Sequence, residues 1–307
     1  MSVRKFEVHV LGCGSALPTT KRNPSSQCVN MGEKLFLVDC GEGTQIRLRD
    51  HKIRFQRIDH IFISHLHGDH YFGLPGLLST MNLLGRTKEL HLYGPPGLGD
   101  LLYEMFKLSK TYLGFKLHVH ETQFTEKALL HESDKLEIYS FPLKHRVPCT
   151  GFLFVEKRGE RKLLKPKIEE FGLGIAEMVQ LKKGNDVYRD DGSTLSFQEL
   201  TLAPPEPRSF AYCSDTKYTE TILPHINGVS LLYHEATFLE ELEGRARETF
   251  HSTAMQAARI AKKAQARKLV IGHYSSRYTQ LSGFEAEARS VFENSFLSVE
   301  GQVYQVD

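Results

Sequence analysis

Short apolar or β-branched segments alternate with segments of helical periodicity along the whole chain. Helical spacing predicts helices near residues 43–51, 71–84, 97–109, 251–266 and 284–293. The segments typical of strands are residues 6–11, 35–38, 60–64, 89–93, 116–120, 136–141, 151–155, 209–213, 229–233, 268–271 and 296–306. Strands interleaved with helices over the whole length predict an α/β fold, with both element types in one sandwich.

The helix near residues 251–266 has the best-marked start. Thr253 and Gln256 have the spacing of a capping box, in which each side chain satisfies a backbone N–H of the first turn. Alanines at positions 254, 257, 258 and 261 then repeat on one helical face. This pattern predicts a helix that buries a flat, small-residue face.

Composition limits the classes of protein to consider. Hydrophobic residues make up 40% and charged residues 25% of the 307, which is ordinary for a globular protein and excludes extensive disorder. The net charge of +2 excludes a generally basic nucleic-acid coat but leaves room for a local basic patch. Five cysteines without a Cys-x-x-Cys pair indicate a reducing, cytoplasmic compartment. The uncharged segment 71–85 is too short to span a membrane, and the first residues lack the design of a signal peptide.

One segment departs from the rest in charge. Residues 157–167 hold six basic residues, Lys162 and Lys165 among them, and one acidic residue. The chain then continues to about residue 207 with many turn-forming residues and few long apolar runs. We expect residues 156–207 to be a flexible arm inserted into a single domain that covers residues 1–307. The alternative is a solvated loop whose charge run is incidental.

A dense group of metal-binding side chains follows the predicted strand 60–64. His65 and His67 are two residues apart and face the same side of an extended segment. Asp69 and His70 come next, after Gly68, which permits a sharp turn. Three imidazoles and a carboxylate within six residues suit Zn²⁺, and also Mn²⁺ or Fe²⁺. The alternative is a polar loop with incidental histidines.

Three further candidate ligands lie just past predicted strands, where open α/β sheets place their sites. They are His145, Asp215 and His273. Taken singly, each has another explanation: a loop residue, a helix N-cap and a buried structural histidine, respectively. Phosphoryl chemistry often uses two metals about 4 Å apart, and together with the first group these three would complete two sites.

Longer motifs narrow the resemblance. The pattern His65-x-His67-x-Asp69-His70 resembles the metallo-β-lactamase superfamily, whose fold is a four-layer αββα sandwich. The segments GEGTQIRL (41–48), FISHLHGDHYFGLPGL (62–77), HEAT (234–237), HST (251–253) and GHYSSRY (272–278) resemble ribonuclease Z, a family of endonucleases that process the 3′ end of tRNA. The resemblance covers essentially the whole chain, at the length of the family's short form.

The resemblance implies two zinc ions per subunit, one on His65, His67 and His145 and the other on Asp69, His70 and His273, with Asp215 bridging both. Asp69 would accept the proton of the attacking water, and Glu235 with His251 would handle the proton of the leaving group. The substrate would be precursor tRNA, cut to leave a 3′-OH on the tRNA and a 5′-phosphate on the trailer. The resemblance also implies a homodimer.

The residues that would contact the substrate are less clearly indicated by the sequence than the metal ligands are. Arg22 and Asn23 lie in the early loop that resembles the family's substrate loop, and Lys162 and Lys165 belong to the basic segment. Arg277 either contacts phosphate or braces the turn after His273. His234 and Thr237 are predicted to serve packing at a strand end rather than catalysis.

Three other functions can be compared with this one. A hydrolase of small phosphodiesters or aryl sulfates would share all seven ligands but gain nothing from a folded tRNA. A non-catalytic RNA-binding module would show damage to the ligand set, and all seven positions hold competent residues. A β-lactamase is disfavoured because its periplasmic role calls for a signal peptide.

Overall fold

Two seven-stranded sheets form the framework of the computed structural model, which describes residues 5–307. The first sheet has the order β18-β1-β2-β3-β4-β5-β6, with β1 Phe6–Gly12, β2 Ser26–Met31, β3 Lys34–Val38, β4 Ile58–Phe62, β5 Leu90–Gly94, β6 Leu117–Glu121 and β18 Val303–Gln305. The second has the order β17-β16-β15-β14-β9-β8-β7, with β7 Ala128–Glu132, β8 Leu136–Pro142, β9 Thr150–Glu156, β14 Ser209–Cys213, β15 Leu231–Glu235, β16 Lys268–Gly272 and β17 Ser295–Leu297. Strands β3 to β6 run parallel to one another, and so do strands β14 to β17.

Helices cover the outer faces of these sheets, because each has one apolar side to bury. The helices outside residues 155–208 are α1 Thr44–Asp50, α2 Gly68–Tyr71, α3 Leu74–Leu83, α4 Leu98–Leu108, α8 Leu223–Ile226, α9 Glu243–Thr249, α10 Ala254–Lys263 and α11 Ser282–Val291. Leu78 of α3 and Leu102 of α4 share a buried cluster with Ile61 and Leu92 of the first sheet. Helices α10 and α11 contact strands β15, β16 and β17 of the second sheet.

Aromatic rings fill the space between the two sheets. Phe62 of the first sheet contacts Phe152 and Phe154 of the second, with ring centroids 5.4 and 5.7 Å apart. The resulting layers are helix, sheet, sheet and helix, so the predicted four-layer α/β sandwich is confirmed. None of the helices found over residues 5–307 has the length and apolar character that a bilayer crossing requires.

Within the two seven-stranded sheets, the periodicity misses two strands and merges two others into one. Strand β2 is buried along its entire length, so it lacks the alternation that marks a half-exposed strand. The predictions also omit β7. The segment 296–306, predicted as one strand, forms β17 and β18, which belong to different sheets. A crossing between sheets leaves no local signal in the sequence.

The predicted helices are confirmed with small shifts at their ends, and Thr253 and Gln256 form the predicted capping box of α10. The region 71–84 contains a break. Gly73 separates α2 from α3, and a Cβ at this position would lie 2.1 Å from the Gly41 carbonyl oxygen. Its N–H donates to the Cys40 carbonyl at 2.9 Å. This close approach ties the segment that carries His70 to the loop after β3.

Residues 132–137 and 155–208 form a separate compact unit. It contains helices α5 Lys165–Glu170, α6 Ile175–Lys182 and α7 Phe197–Leu200, and two small antiparallel strand pairs, β10 Lys162–Leu163 with β13 Thr201–Leu202 and β11 Val187–Tyr188 with β12 Thr194–Leu195. Five leucines form its own buried core: Leu163, Leu173, Leu181, Leu195 and Leu200. The predicted organisation, one domain over residues 1–307 with a flexible arm at 156–207, stays a prediction, and residues 1–4 lie outside the described residues.

Candidate metal centre

Four strands deliver the predicted metal ligands to one place. His65, His67, Asp69 and His70 follow β4, and the other three follow β8, β14 and β16. The ends of β4 in the first sheet and of β8, β14 and β16 in the second lie close together, so the side chains just past them converge. The seven side chains predicted from the sequence form two adjoining groups with closely spaced nitrogen and oxygen atoms, His65 with His67, His145 and Asp215, and Asp69 with His70 and His273.

The first group has the spacing of a tetrahedral site. The Nδ1 of His67 lies 3.1 Å from the Nε2 of His65 and 3.1 Å from the Nε2 of His145. The Oδ2 of Asp215 lies 3.5 and 3.9 Å from those same two Nε2 atoms. Tetrahedral zinc with bonds of about 2.0–2.1 Å requires ligand atoms about 3.3–3.4 Å apart. These four atoms therefore fit around one zinc ion with small adjustments.

The second group is equally compact. The Oδ2 of Asp69 lies 3.4 Å from the Nε2 of His70 and 3.4 Å from the Nε2 of His273. The Oδ1 of Asp215 lies 3.3 Å from the first of these nitrogens and 3.2 Å from the second. Asp215 thus offers one carboxylate oxygen to each group, which is the arrangement of a bridging ligand.

Hydrogen bonds behind the cluster orient the imidazoles. The Nδ1 of His70 lies 2.7 Å from Asp39 Oδ2, that of His145 3.0 Å from the Phe250 carbonyl, and that of His273 2.9 Å from the Thr237 hydroxyl. An Nδ1–H engaged in this way leaves the lone pair on Nε2, which faces the cluster. The Nε2 of His70 is buried without a hydrogen-bond partner. An orphaned nitrogen inside a ring of donor atoms fits a metal ligand.

Charge in the cluster also fits a cation. Burial lowers the pKa of His70, but the nearby carboxylates of Asp215, Asp69 and Asp39 outweigh it and raise that pKa well above its usual value. Burial opposes ionisation of Asp215, yet the imidazoles of His273 and His70 hold its pKa well below the usual range. The site thus gathers ionised carboxylates that hold positive charge in place, and a divalent ion satisfies the same requirement.

Asp39 is a site residue that the sequence reasoning missed. Its buried carboxylate accepts four hydrogen bonds, from Ser64 N–H at 2.8 Å, the Ser64 hydroxyl at 3.0 Å, the Tyr212 hydroxyl at 2.7 Å and His70 Nδ1 at 2.7 Å. Its backbone takes a positive φ of 54°. The available signal was its place directly before the Cys40–Gly43 turn and the GEGTQIRL motif, at the end of a buried strand.

Glu235 and His251 form a hydrogen-bonded pair beside the cluster. The Nδ1 of His251 lies 2.9 Å from Glu235 Oε1 and 4.0 Å from Asp215 Oδ2. Burial lowers the pKa of His251, but the Glu235 carboxylate more than compensates and raises it to about 9. Burial raises the pKa of Glu235, and the His251 imidazolium reverses this so that the net shift is downward. The pair therefore holds a proton on the imidazole at neutral pH.

Thr237, predicted to serve packing, connects this pair to the cluster. Its hydroxyl donates to Glu235 Oε2 at 2.8 Å and accepts from His273 Nδ1 at 2.9 Å. One hydroxyl proton can serve only one acceptor, so His273 must be the donor in the second bond. Thr237 thereby sets the tautomer of His273. His234 matches its predicted packing role, because it is buried with Nδ1 2.7 Å from the Glu235 carbonyl oxygen.

A cavity of about 290 Å³ opens onto the cluster. Its walls include His67, Asp69, Asp215, His251 and His273, together with Ser15, Ala16, Gly68 and Phe72. The Ala16 N–H donates to Asp69 Oδ2 at 2.7 Å. Phe72 is 61% exposed although it lines this cavity. An aromatic ring held open at the mouth of a polar cavity provides a stacking surface, which the sequence reasoning did not single out.

The predicted substrate residues differ in how firmly they are held. The Arg22 guanidinium donates to the Tyr278 carbonyl, and Asn23 Nδ2 donates to Glu300 Oε2 at 2.8 Å. Arg277 donates through Nε to the Ser275 hydroxyl at 3.1 Å and lies over the Phe238 ring at 5.1 Å, which are bracing contacts. Lys162 and Lys165 are exposed on the separate unit.

Comparisons with known proteins agree on the class. Residues 169–274 match the sequence profile described as Beta-lactamase superfamily domain, and residues 6–156 match that of Anti-Pycsar protein Apyc1. The crystal structure of human tRNase Z, short form (ELAC1), superimposes with a TM-score of 0.74 at 28% identity, over 98% of this chain and 99% of that one. Fold and side-chain cluster together define a metallo-β-lactamase-fold protein whose histidine and aspartate side chains are able to bind metal.

Curated relatives identify the family within that class. A Ribonuclease Z from Porphyromonas gingivalis is 48% identical over 94% of this chain and 95% of its own length. A Ribonuclease Z from Cytophaga hutchinsonii is 47% identical over 98% of this chain and 96% of its own length. The chain belongs to the ribonuclease Z family.

Proposed function

We propose that this protein is a metal-dependent endoribonuclease that removes the 3′ trailer from precursor tRNA. The observation that carries the proposal is the pairing of two ligand groups, joined by the two oxygens of Asp215, with the Glu235–His251 pair 2.9 Å apart on the same cavity. Membership of the ribonuclease Z family supports the substrate and the reaction.

The two groups would each hold one zinc ion, His65, His67 and His145 on one side, Asp69, His70 and His273 on the other, with Asp215 between them. Histidine nitrogen and carboxylate oxygen are ligands that zinc accepts readily in tetrahedral sites. Bound there, the ions would activate a water at neutral pH and offset the charge that develops on the phosphoryl oxygens.

The chain's own groups then divide the proton transfers. Asp69 faces the cavity as an ionised carboxylate, since the nearby imidazoles of His70 and His273 outweigh burial and lower its pKa well below the usual value. It accepts a hydrogen bond and then the proton from the attacking water. His251 lines the same cavity with Nδ1 engaged by Glu235, so its Nε2–H is free to protonate the departing 3′ oxygen. General acid catalysis of this kind contributes about 10²–10⁴ in rate.

RNA recognition would require cationic side chains that are free to contact phosphates. Residues 155–208 carry ten Lys or Arg and ten Asp or Glu, so that segment as a whole is not basic. Five of its ten cations form ion pairs within the compact unit, such as Arg189 with Glu177 at 2.7 Å. Four lysines have no ion-pair partner within the described residues: the exposed Lys162, Lys165 and Lys183 and the half-buried Lys182. Backbone phosphates of a folded RNA are the natural ligands of such free cations.

Arg22, Asn23 and Arg277 would supply further polar groups, and Phe72, which lines the cavity, offers a face on which a base beside the scissile phosphate would stack. Arg22 and Asn23 would act mainly through the loop they hold in place, because their side chains already bond to Tyr278 and Glu300. Arg277 is the most exposed of the three.

A homodimer and a cytoplasmic location complete the proposal. Helices α3 and α4 and the turn after α4 leave large apolar side chains in solvent, with Leu83 at 84%, Leu108 at 80% and Tyr112 at 85% exposure. Apolar groups gathered in this way often mark a protein interface. Five buried, unpaired cysteines agree with a reducing compartment.

The test uses purified, zinc-loaded protein and a labelled precursor tRNA with a 3′ trailer, and maps the product end at single-nucleotide resolution. We expect one cut after the discriminator nucleotide, lost in Asp69→Ala. Asp59→Ala is the matched control, since that carboxylate pairs with Arg86 outside the cluster. Hydrolysis of bis(p-nitrophenyl) phosphate without cleavage of the RNA would overturn the tRNA assignment and favour a hydrolase of small phosphodiesters.

A further inference from the structure

Five histidines lie together outside the cluster described above, four of them on strands β4, β5 and β6 of the first sheet and one on β7 of the second. Their rings form a continuous set of contacts: His60 with His91 at 5.0 Å and with His131 at 4.2 Å, and His91 with His118 at 4.7 Å and with His120 at 5.3 Å. The proposed reaction uses none of them. The outermost members lie on β5 and on β6, which is an edge strand of its sheet.

Strand geometry places three of these imidazoles and a carboxylate together. His118 and His120 are two residues apart on β6, so both point to the same face. His91 lies directly opposite His118 on the neighbouring strand. The Nδ1 of His91 is 3.0 Å from the Nε2 of His120, and Glu89 Oε2 is 3.0 Å from the Nε2 of His118. Glu89, His91 and His118 each present one ligand atom within 4.8 Å of the others.

We propose that Glu89, His91, His118 and His120 form a further metal site for a divalent transition ion, for which Zn²⁺ is the natural probe. A His-x-His pair on one strand with a histidine on the adjacent strand supplies three nitrogen ligands from a rigid backbone frame. Glu89 supplies the oxygen ligand, and the mixed set of imidazoles and a carboxylate suits zinc, copper or nickel.

The side chains are free to make the adjustment that ligation requires. The rings of His91, His118 and His120 lie within 9–19° of parallel, so their lone pairs must be turned towards a common point. Rotation about the bond between Cβ and the ring is soft for histidine. All three are only half-buried, so solvent reaches part of each side chain.

The pKa shifts of two of these histidines also suit a metal. Burial lowers the pKa of His91 and of His120, and repulsion among the neighbouring imidazoles lowers both further. Neutral imidazoles are the form that binds a metal, so little proton release opposes binding at neutral pH. A bound ion would link β5 to the edge strand β6 and hold that edge of the sheet against fraying.

The full-length protein is loaded with excess Zn²⁺, desalted, and its zinc per chain is measured for wild type, His118→Gln, His120→Gln and His51→Gln. We expect each of the first two variants to hold one zinc fewer than wild type. His51→Gln should hold the wild-type number, because His51 lies outside the group and contacts Arg47. Hydrolysis of bis(p-nitrophenyl) phosphate should be unchanged in all three variants, which also shows that they fold.

A second readout separates this site from the proposed catalytic one. Cu²⁺ added to the Asp215→Asn variant should give one more nitrogen-coupled electron paramagnetic resonance component than Cu²⁺ added to the Asp215→Asn/His118→Gln double variant, because the remaining histidines of the first cluster bind copper in both. Equal zinc content in wild type, His118→Gln and His120→Gln would overturn the proposal, as would identical copper spectra in the single and double variants. Failure of the proposed RNA cleavage would leave both results unaffected.

Discussion

Asp39 offers the sharpest test of how the chain orients its proposed metal ligands. Its carboxylate is fully buried and only accepts hydrogen bonds, four of them, including the 2.7 Å bond from His70 Nδ1. Asp39→Asn keeps the size of the side chain and replaces one acceptor oxygen by an NH₂ group. That group faces His70 Nδ1, which must then lose its proton and accept, so the proton moves to Nε2 and blocks the ligand atom.

The expected loss follows from this tautomer shift. Removing an outer hydrogen-bond partner of a metal-binding histidine typically weakens metal affinity about 10- to 100-fold. This corresponds to about 1.4–2.7 kcal/mol in binding free energy. His70 belongs to only one of the two ligand groups. The affinity for one zinc ion should therefore fall strongly and the affinity for the other should change little.

The assay is competition for Zn²⁺ between the protein and a chromophoric chelator, fitted for two ions per chain. Asp59→Asn serves as the control, because Asp59 also pairs with a buried arginine, Arg86, but lies away from the cluster. Activity at saturating zinc should recover in part, since excess metal repopulates the weakened position. Two unchanged zinc affinities in a folded Asp39→Asn protein would refute the reasoning from tautomer to ligand.

Three further predictions concern the reaction. His251→Ala should lower kcat about 10²–10⁴-fold. Wild-type activity should fall as pH rises through the pKa of His251. That pKa is about 9 in the metal-free protein, and we expect it to be lower once cations lie beside Asp215. The fall at alkaline pH should be absent in His251→Ala. Phe72→Ala should raise KM for precursor tRNA about 5- to 100-fold, because one base loses its stacking partner. Hydrolysis of bis(p-nitrophenyl) phosphate should be unaffected, and Phe72→Tyr should restore the wild-type KM. The double variant Lys162→Glu/Lys165→Glu should raise KM for precursor tRNA and reduce its salt dependence, since each lost phosphate contact lowers the slope by about 0.7–0.9.

Each of these has a matched control elsewhere on the chain. His51→Ala, Phe124→Ala and Lys116→Glu change residues of the same types outside the cavity, and the last two are exposed. A pH limb that persists in His251→Ala would contradict the general-acid role. Equal KM changes in Phe72→Ala and Phe124→Ala, or an unaltered salt slope in the lysine double variant, would contradict the corresponding substrate contacts.

Much of the candidate site could be predicted from the spacing of residues that are close in sequence. His65, His67, Asp69 and His70 lie within six residues, so their convergence requires only a strand end and one turn. His145, Asp215 and His273 were each recognisable as polar residues just past a β segment. Helix α10 was equally predictable from the sequence, because its capping box and alanine face depend on residues three or four positions apart.

Asp39 and Thr237 became visible only through the tertiary structure. Asp39 meets Tyr212, which is 173 residues away, and Thr237 meets His273, which is 36 residues away. The pairing of β5 with β6 likewise decides that His91 lies opposite His118. The sequence by itself determined the elements and the local ligand motif, because these follow from periodicity and short-range geometry. Sheet order and register decided which distant side chains share a proton or an ion, and no local pattern records that pairing.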